Sequence, residues 1–263
     1  MAGDVPLDHP EFDAIAKWYD FDYERRVRQD LPFWRDCAAE GGGPVLELGA
    51  GTGRVTVVLA KDGHDVTAVD LSPGMLESAR RRFERAGELP GKVRLVRGDM
   101  TSPPVRGRFG TVIAPFRSFN HLYSVDRQLA ALRSMRRRLA PDGIGAIALW
   151  SPNLAELGQD AGRVQVSYDR THPSRGTRVV QRFKLQYDYA AQMAYVDYWW
   201  DEYRGKRRLQ RDHAPMRARW FGRFEFEHLL SRAGLRPLRL YGDFRGGPWR
   251  EGSEDLIFVF ARD

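Results

Sequence analysis

Between residues 44 and 150, five short apolar runs alternate with segments of helical periodicity, and this rhythm limits the folds open to the chain more than any other feature. Val45–Leu48, Asp65–Val69, Val93–Val96, Thr111–Ala114 and Ile144–Trp150 have the length and composition of buried strands. Between them, Val55–Ala60 reads as an apolar helix closed by Lys61, Asp62 and Gly63. Met75, Leu76, Ala79 and Phe83 recur at helical spacing. Leu129, Leu132, Met135 and Leu139 mark an amphipathic helix stopped by Pro141-Asp142-Gly143. Strands separated by helices predict an α/β protein with a doubly wound, mostly parallel, Rossmann-like sheet.

After Ser151-Pro152-Asn153 the pattern changes. Arg178–Tyr189 and Met193–Arg204 read as long strands, with Phe183, Leu185, Tyr187 and Tyr189 alternating in the first. Leu209–Arg219 is a third strand, entered through the turn Arg204-Gly205-Lys206-Arg207. An inserted antiparallel β meander follows from this spacing. Phe224–Ala233 is then a helix ended by Gly234, and Leu235–Tyr241 and Asp255–Ala261 return as strands to the main sheet. The expected divisions are residues 1–43, the core 44–153, the insertion 154–222 and a C-terminal part 223–263.

Composition excludes several classes. With 263 residues and 42% hydrophobic content, the chain can bury a large core. No apolar run approaches the roughly 20 residues that cross a bilayer, and the first residues lack the pattern of a secretory signal. Cys37 is the sole cysteine, so neither an internal disulfide nor a multi-cysteine zinc site is available. A cytoplasmic protein is expected, with no membrane partner. The net charge is +7, with 22 bases against 20 acids in residues 1–150 and 20 against 15 in residues 151–263. The basic second half suits either an anionic substrate or a solvated, arginine-rich surface.

The most informative motif is Glu47-Leu48-Gly49-Ala50-Gly51-Thr52-Gly53, which joins the first strand to the first core helix. It places backbone N–H groups at a helix N-terminus, where glycines admit a ligand closely. A dinucleotide loop needs G-x-G-x-x-G/A. Here the third position is Arg54, and the glycines follow G-x-G-x-G behind the acidic Glu47. The second strand ends at Asp70, where a carboxylate can accept both hydroxyls of a ribose. The third ends at Asp99, beside Met100. The loop and both acids thus fall at successive strand ends on one edge of the sheet.

In this combination, Val45–Asn153 resembles the core of class I S-adenosylmethionine (SAM)-dependent methyltransferases. Val45-Leu46-Glu47-Leu48-Gly49-Ala50-Gly51-Thr52-Gly53-Arg54 is similar to that family's first motif. Asp70-Leu71-Ser72-Pro73-Gly74-Met75-Leu76 is similar to the segment after its second strand, and Gly98-Asp99-Met100 to the third. The resemblance implies SAM as methyl donor and S-adenosylhomocysteine as product. It implies that Gly49, Ala50 and Gly51 line the methionine and ribose and that Asp70 takes the ribose diol. Leu71 and Met75 would flank the adenine, and Asp99 and Met100 meet its edge. Glu47, Arg54, Pro115 and Phe116 complete the expected cofactor set.

The segment after the fourth strand addresses the acceptor. Ala114-Pro115-Phe116-Arg117 lacks the acid-Pro-Pro-aromatic pattern of base-amino methyltransferases. Cys37 precedes the glycine loop, so a cytosine-C5 mechanism has no nucleophile in place. No histidine pair has metal-ligand spacing, and no oxygen cluster follows strands four and five, so no metal is expected. Ser118-Phe119-Asn120-His121-Leu122 instead resembles the Ser-x-x-His-Leu ending of glycine N-methyltransferase-like and deoxysugar N,N-dimethyltransferase groups. His121 is accordingly either a catalytic base or a residue on the cofactor side.

Two aromatic segments remain. Trp18, Tyr19 and Tyr23 form a helical aromatic face that packs either on the core or on a ligand. The resemblance adds that an N-terminal Tyr-Asp segment, here Tyr19-Asp20, closes over SAM as a lid. Tyr19 and Tyr23 are therefore candidate cofactor contacts and Tyr19 a second catalytic candidate. The insertion carries Tyr187, Tyr189, Tyr195, Tyr198, Trp199, Trp200, Tyr203 and Trp220, so at least one of its faces must meet another surface. In related enzymes such a sheet roofs the acceptor or forms a dimer contact. Arg178, Arg182, Arg217 and Arg219 are candidates for binding a phosphate or carboxylate. The expected acceptor is a small molecule, an anionic one included, methylated on N, O or C. An RNA or protein acceptor and a non-catalytic SAM-binding protein are the alternatives, and nucleic acid is the less expected partner.

Overall fold

A seven-stranded sheet organises the larger part of the chain, in a computed structural model that describes residues 10–23, 28–150, 152, 157, 162–253 and 255–263. Its strands are β1 (Val45–Leu48), β2 (Val66–Asp70), β3 (Val93–Arg97), β4 (Phe109–Ala114), β5 (Leu139–Trp150), β10 (Leu235–Tyr241) and β11 (Asp255–Arg262). Their order is β10-β11-β5-β4-β1-β2-β3. β1 pairs in parallel with both β2 and β4, so the chain winds outward in two directions from β1. Only β11 runs antiparallel to its neighbours, β5 and β10.

The sequence dictates a sheet covered on both faces. β1 and β4 are buried at every position, as expected for strands flanked by helices on both sides. Alternate residues divide between two cores. Leu46, Leu48, Val112, Ala114, Ile147, Leu149, Phe258 and Phe260 join one with Leu129, Leu132 and Leu230. Val45, Ile113, Ala146, Ala148, Ile257 and Val259 join the other with Trp34, Val55 and Leu59. The first core thus takes α5 (Val125–Arg138) and α6 (Arg223–Arg232), and the second α2 (Leu31–Gly41) and α3 (Arg54–Lys61). The remaining helices are α1 (Pro10–Tyr23) and α4 (Pro73–Ala86).

Two expectations need correction. The amphipathic helix ends at Arg138, not near Pro141, and Leu139 already opens β5. Phe109 pairs with Leu139 but Thr111 with Ile144, and this shift absorbs Ala140–Gly143 in the strand. The insertion has four strands rather than three. Val164–Thr171 forms an edge strand, β6, with Val164 and Val166 exposed, beside β7 (Arg178–Asp188), where Val179, Val180 and Gln181 are buried. β8 (Met193–Arg204) and β9 (Arg207–Arg219) complete the order β6-β7-β8-β9.

The described residues fall into two compact units, Met1–Ser151 with Phe221–Asp263, and Pro152–Trp220. On one face of the second unit, Arg182 and Arg211 share the buried carboxylate of Asp201, at 2.5 and 2.6 Å. Arg178 pairs with Asp169 on the same face, and Trp199 stacks on His213 with centroids 5.3 Å apart. Arg178 and Arg182 are thus held by the sheet's own acids. No helix among the described residues is long and apolar enough to cross a membrane.

Candidate active site

The loops that leave β1, β2 and β4 converge at the carboxyl edge of the sheet, where the strand order switches direction and ligands of such sheets bind. The first is the glycine loop. Gly49, Gly51 and Gly53 have φ of 71°, 56° and 73°, a region open to glycine at little cost. A Cβ on Gly49 would lie 2.5 Å from Ser118 Cβ, and one on Gly53 would lie 2.8 Å from the Phe83 ring. These two glycines admit protein. A Cβ on Gly51 would meet no protein atom within 4 Å, so this glycine faces open space.

Asp70 ties the first loop to the second. Its Oδ2 accepts the Gly51 N–H at 2.7 Å and its Oδ1 the Ser72 N–H at 2.9 Å. Burial pushes the Asp70 carboxyl above its ordinary value, and these N–H groups oppose that rise. A carboxylate offers about four acceptor sites, so Asp70 has capacity for a hydroxyl donor beside these N–H groups. Ser72 caps α4, its Oγ accepting the Met75 N–H at 3.0 Å. Met75 is buried, whereas Leu71 is half-buried and its carbonyl accepts from Arg97 Nε at 3.3 Å. After β3, Asp99 accepts the Thr101 N–H at 2.8 Å and Arg127 Nη2 at 2.7 Å. Burial raises the Asp99 carboxyl, but these donors together hold it below the usual carboxylate range. Met100 packs half-buried against the core, and its Cε would lie 3.4 Å from a Cβ on Gly49.

Glu47 lies beneath the loop and is 1% exposed. Burial pushes its carboxyl from 4.5 up to about 7, against the Thr56 hydroxyl that donates to it at 2.5 Å. The fold therefore holds this proton more tightly than the unfolded chain does. The resulting stabilisation is complete below pH 4.5 and is lost as pH rises through about 7, and it amounts to about 3 kcal/mol. Glu47→Gln keeps an acceptor for Thr56 and removes the titration. The variant is expected to melt above the parent at pH 8 and level with it near pH 4.5. Parallel melting curves across that range would show that Glu47 does not titrate in this way.

The third loop is strained. Phe116 and Arg117 are successive non-glycine residues at φ 48° and 63°, a conformation costing roughly 1–2 kcal/mol per residue. A short 3₁₀ turn, Ser118–His121, follows. Ser118 Oγ donates to the Leu48 carbonyl at 3.3 Å, and buried Asn120 accepts the Trp150 N–H at 3.1 Å. Pro115 is buried. His121 is half-buried, its ring edge-on to Phe12 of α1 with centroids 4.7 Å apart.

Helix α1 crosses all three loops. Asp13 accepts from Ser72 Oγ at 2.5 Å and from the Gly74 N–H at 2.9 Å. Two helical turns on, Asp20 accepts from Thr52 Oγ1 at 2.7 Å and pairs with Arg82 at 2.7 Å. Tyr19 and Tyr23 pack on each other and on Phe116, with centroid distances of 4.9, 6.3 and 5.2 Å. Burial pushes the Tyr19 phenol well above its ordinary value, against the pull of Arg54, so Tyr19 is a neutral donor at physiological pH rather than a base. Arg54 grips buried Asp30 with two bonds of 2.6 Å, while Trp34 donates to the same carboxylate at 2.9 Å.

The expected residues thus gather at one edge. Asp20, Thr52 and Ser118, which the motifs contain without a stated role, join the site, as do Asp13, Asp30 and Arg82, which no motif marks. A cavity of about 420 Å³ opens at the same edge, lined by Gln29, Phe244, Arg245, Arg250 and Asp255 among others. Among the described residues no group of three His, Cys, Asp or Glu side chains is placed to hold a metal ion.

A doubly wound sheet with a glycine loop and a carboxylate at its switch point has the Rossmann-like architecture, in which ligands bind at that edge. Residues 45–143 match the family model described as a methyltransferase domain. Over 70 residues it is 46% identical to the magnesium-protoporphyrin O-methyltransferase of Rhodobacter capsulatus, covering 27% of this chain and 30% of that protein. Over 138 residues it is 37% identical to the demethylmenaquinone methyltransferase of Mycobacterium sp. strain KMS, covering 50% and 54%. The chain therefore matches between about a third and about half of the length of these curated relatives. Among solved structures, the CcbJ methyltransferase of Streptomyces caelestis shares the fold at a TM-score of 0.82 with 24% identity, over 98% of this chain and 99% of that one. The sugar N-methyltransferase KedS8 of Streptoalloteichus sp. does so at 0.71 with 20% identity, over 100% and 96%.

Proposed function

We propose that the protein transfers the methyl group of SAM to an amine or hydroxyl of a small molecule. The observation that carries this reading is the juxtaposition of the glycine loop and Asp70, which accepts the Gly51 N–H, with Gly51 itself facing open space. Both suit a ribose and its attached methionine. SAM, when bound, supplies an electrophilic methyl group.

The chain's own residues bind, orient and exclude water. Asp70 fixes the ribose, and with it the direction in which the sulfonium presents its methyl. Phe116, Tyr19 and Tyr23 offer aromatic faces that favour a cation over water. His121, on the loop after β4, takes the acceptor's proton as the new bond forms. The cavity beside Asp255 supports entry of the acceptor from the β10–β11 side. Its lining by arginines and acids suits a polar acceptor, and an anionic one through Arg245 and Arg250.

Incubation with SAM and a panel of small amines and alcohols, read by mass spectrometry, tests the reading. The expected result is a product heavier by one methylene, with equimolar S-adenosylhomocysteine. Absence of SAM binding by calorimetry would overturn it. SAM binding with turnover only on RNA or protein would replace the acceptor class, and binding without any turnover would leave a cofactor-binding protein.

A further inference from the structure

The Phe116–Arg117 turn needs an external hold, because two adjacent side chains occupy the left-handed region without glycine. Three contacts supply it. The Arg117 N–H donates to the Ala148 carbonyl of β5 at 3.1 Å, and the Ser118 N–H to the Pro115 carbonyl at 3.2 Å. The third contact is remote in sequence: Arg117 Nη2 bonds Asp255 Oδ1 at 3.2 Å, at the first residue of β11. Asp255 is itself fixed, because it pairs with Trp150 at the end of β5. What the turn achieves is orientation. It sets the Phe116 ring against Tyr19, Tyr23 and Arg54, and places Ser118 against Gly49.

We infer that Asp255 is a positioning residue: through Arg117 it holds the Phe116–Arg117 turn left-handed and thereby shapes the aromatic wall of the crevice. The link to catalysis rests on the methyltransferase reading; the link to the turn does not. Asp255 also borders the cavity, so a direct role in acceptor binding is the competing explanation. A glycine at 117 separates the two, since glycine adopts the turn without an ion pair to hold it.

The test uses Asp255→Ala, Arg117→Gly, the double variant and the parent. Asp255→Ala is expected to weaken SAM binding about tenfold in calorimetry and to change the near-ultraviolet circular dichroism of the aromatic cluster. The double variant, Asp255→Ala with Arg117→Gly, is expected to return to within about threefold of the parent and to regain the dichroism. A folded Asp255→Ala protein with parental affinity and dichroism would overturn the inference. So would a loss that Arg117→Gly fails to restore, because Asp255 would then act directly. If the parent itself binds no SAM, the methyltransferase reading fails, and the dichroism series alone still decides whether Asp255 holds the turn.

Discussion

Asp70→Ala is expected to weaken SAM binding on the order of a hundredfold or more while the protein remains folded. Two ribose hydroxyls would lose a charged acceptor, and such bonds contribute about 1.5–3 kcal/mol each. A loss of about 2.7 kcal/mol already corresponds to a hundredfold. The same substitution frees the Gly51 and Ser72 N–H groups, which water at the open crevice can satisfy. Asp70→Asn keeps one accepting oxygen and should fall between parent and alanine variant. The pH dependence has a definite sign. Hydroxyl donors need the ionised carboxylate, and burial raises its pKa, so SAM affinity should decline on acidification sooner than for an exposed aspartate. Unchanged affinity in folded Asp70→Ala would remove the ribose assignment.

The second large effect concerns His121. If it receives the acceptor's proton, His121→Ala should lower kcat by roughly 10²–10⁴ with little change in SAM affinity. His121→Gln keeps a polar group but no base and should be similarly slow. Imidazole changes charge nearer neutral pH than other side chains, so the parent's rate should fall on acidification and the variants should lose that limb. The packing of His121 on Phe12 permits a contrary outcome. A ring whose task is to seat α1 would, when removed, weaken SAM binding or lower the melting temperature and leave the shape of the pH–rate profile unchanged.

The sheet was legible because its signals are local. Val45–Leu48 and Thr111–Ala114 are short apolar runs bounded by glycine or proline, and the structure buries each of these residues. The glycine loop and Asp70 lie 21 residues apart at equivalent strand ends, so strand periodicity alone set them side by side. What escaped were pairings between distant segments. Asp13 with Ser72, Asp20 with Arg82 and Arg117 with Asp255 each join residues that have no shared motif. Asp30 shows the same limit: nothing in Arg28-Gln29-Asp30 indicates a buried carboxylate that clamps Arg54. Edge strand β6 alternates Val164, Val166 and Tyr168 with polar residues, but the run is short and its valines are exposed, so it lacks the buried apolar content that marks a core strand. Leu139 was read into a helix because apolar spacing continues across the helix–strand junction.

Helix α1 belongs to the start of the chain yet is fastened at Asp13 and Asp20 across the loops that bound the crevice. In the proposed reading SAM lies under α1, and exchange of spent for fresh donor would require these fastenings to open. Such an opening can set the pace of an enzyme independently of bond making. Because one fastening is an ion pair with Arg82, added salt should loosen it, and product release would then quicken while the grip on the donor slackens. In that reading speed and retention would be opposed, and the fastenings at Asp13 and Asp20 would set their balance.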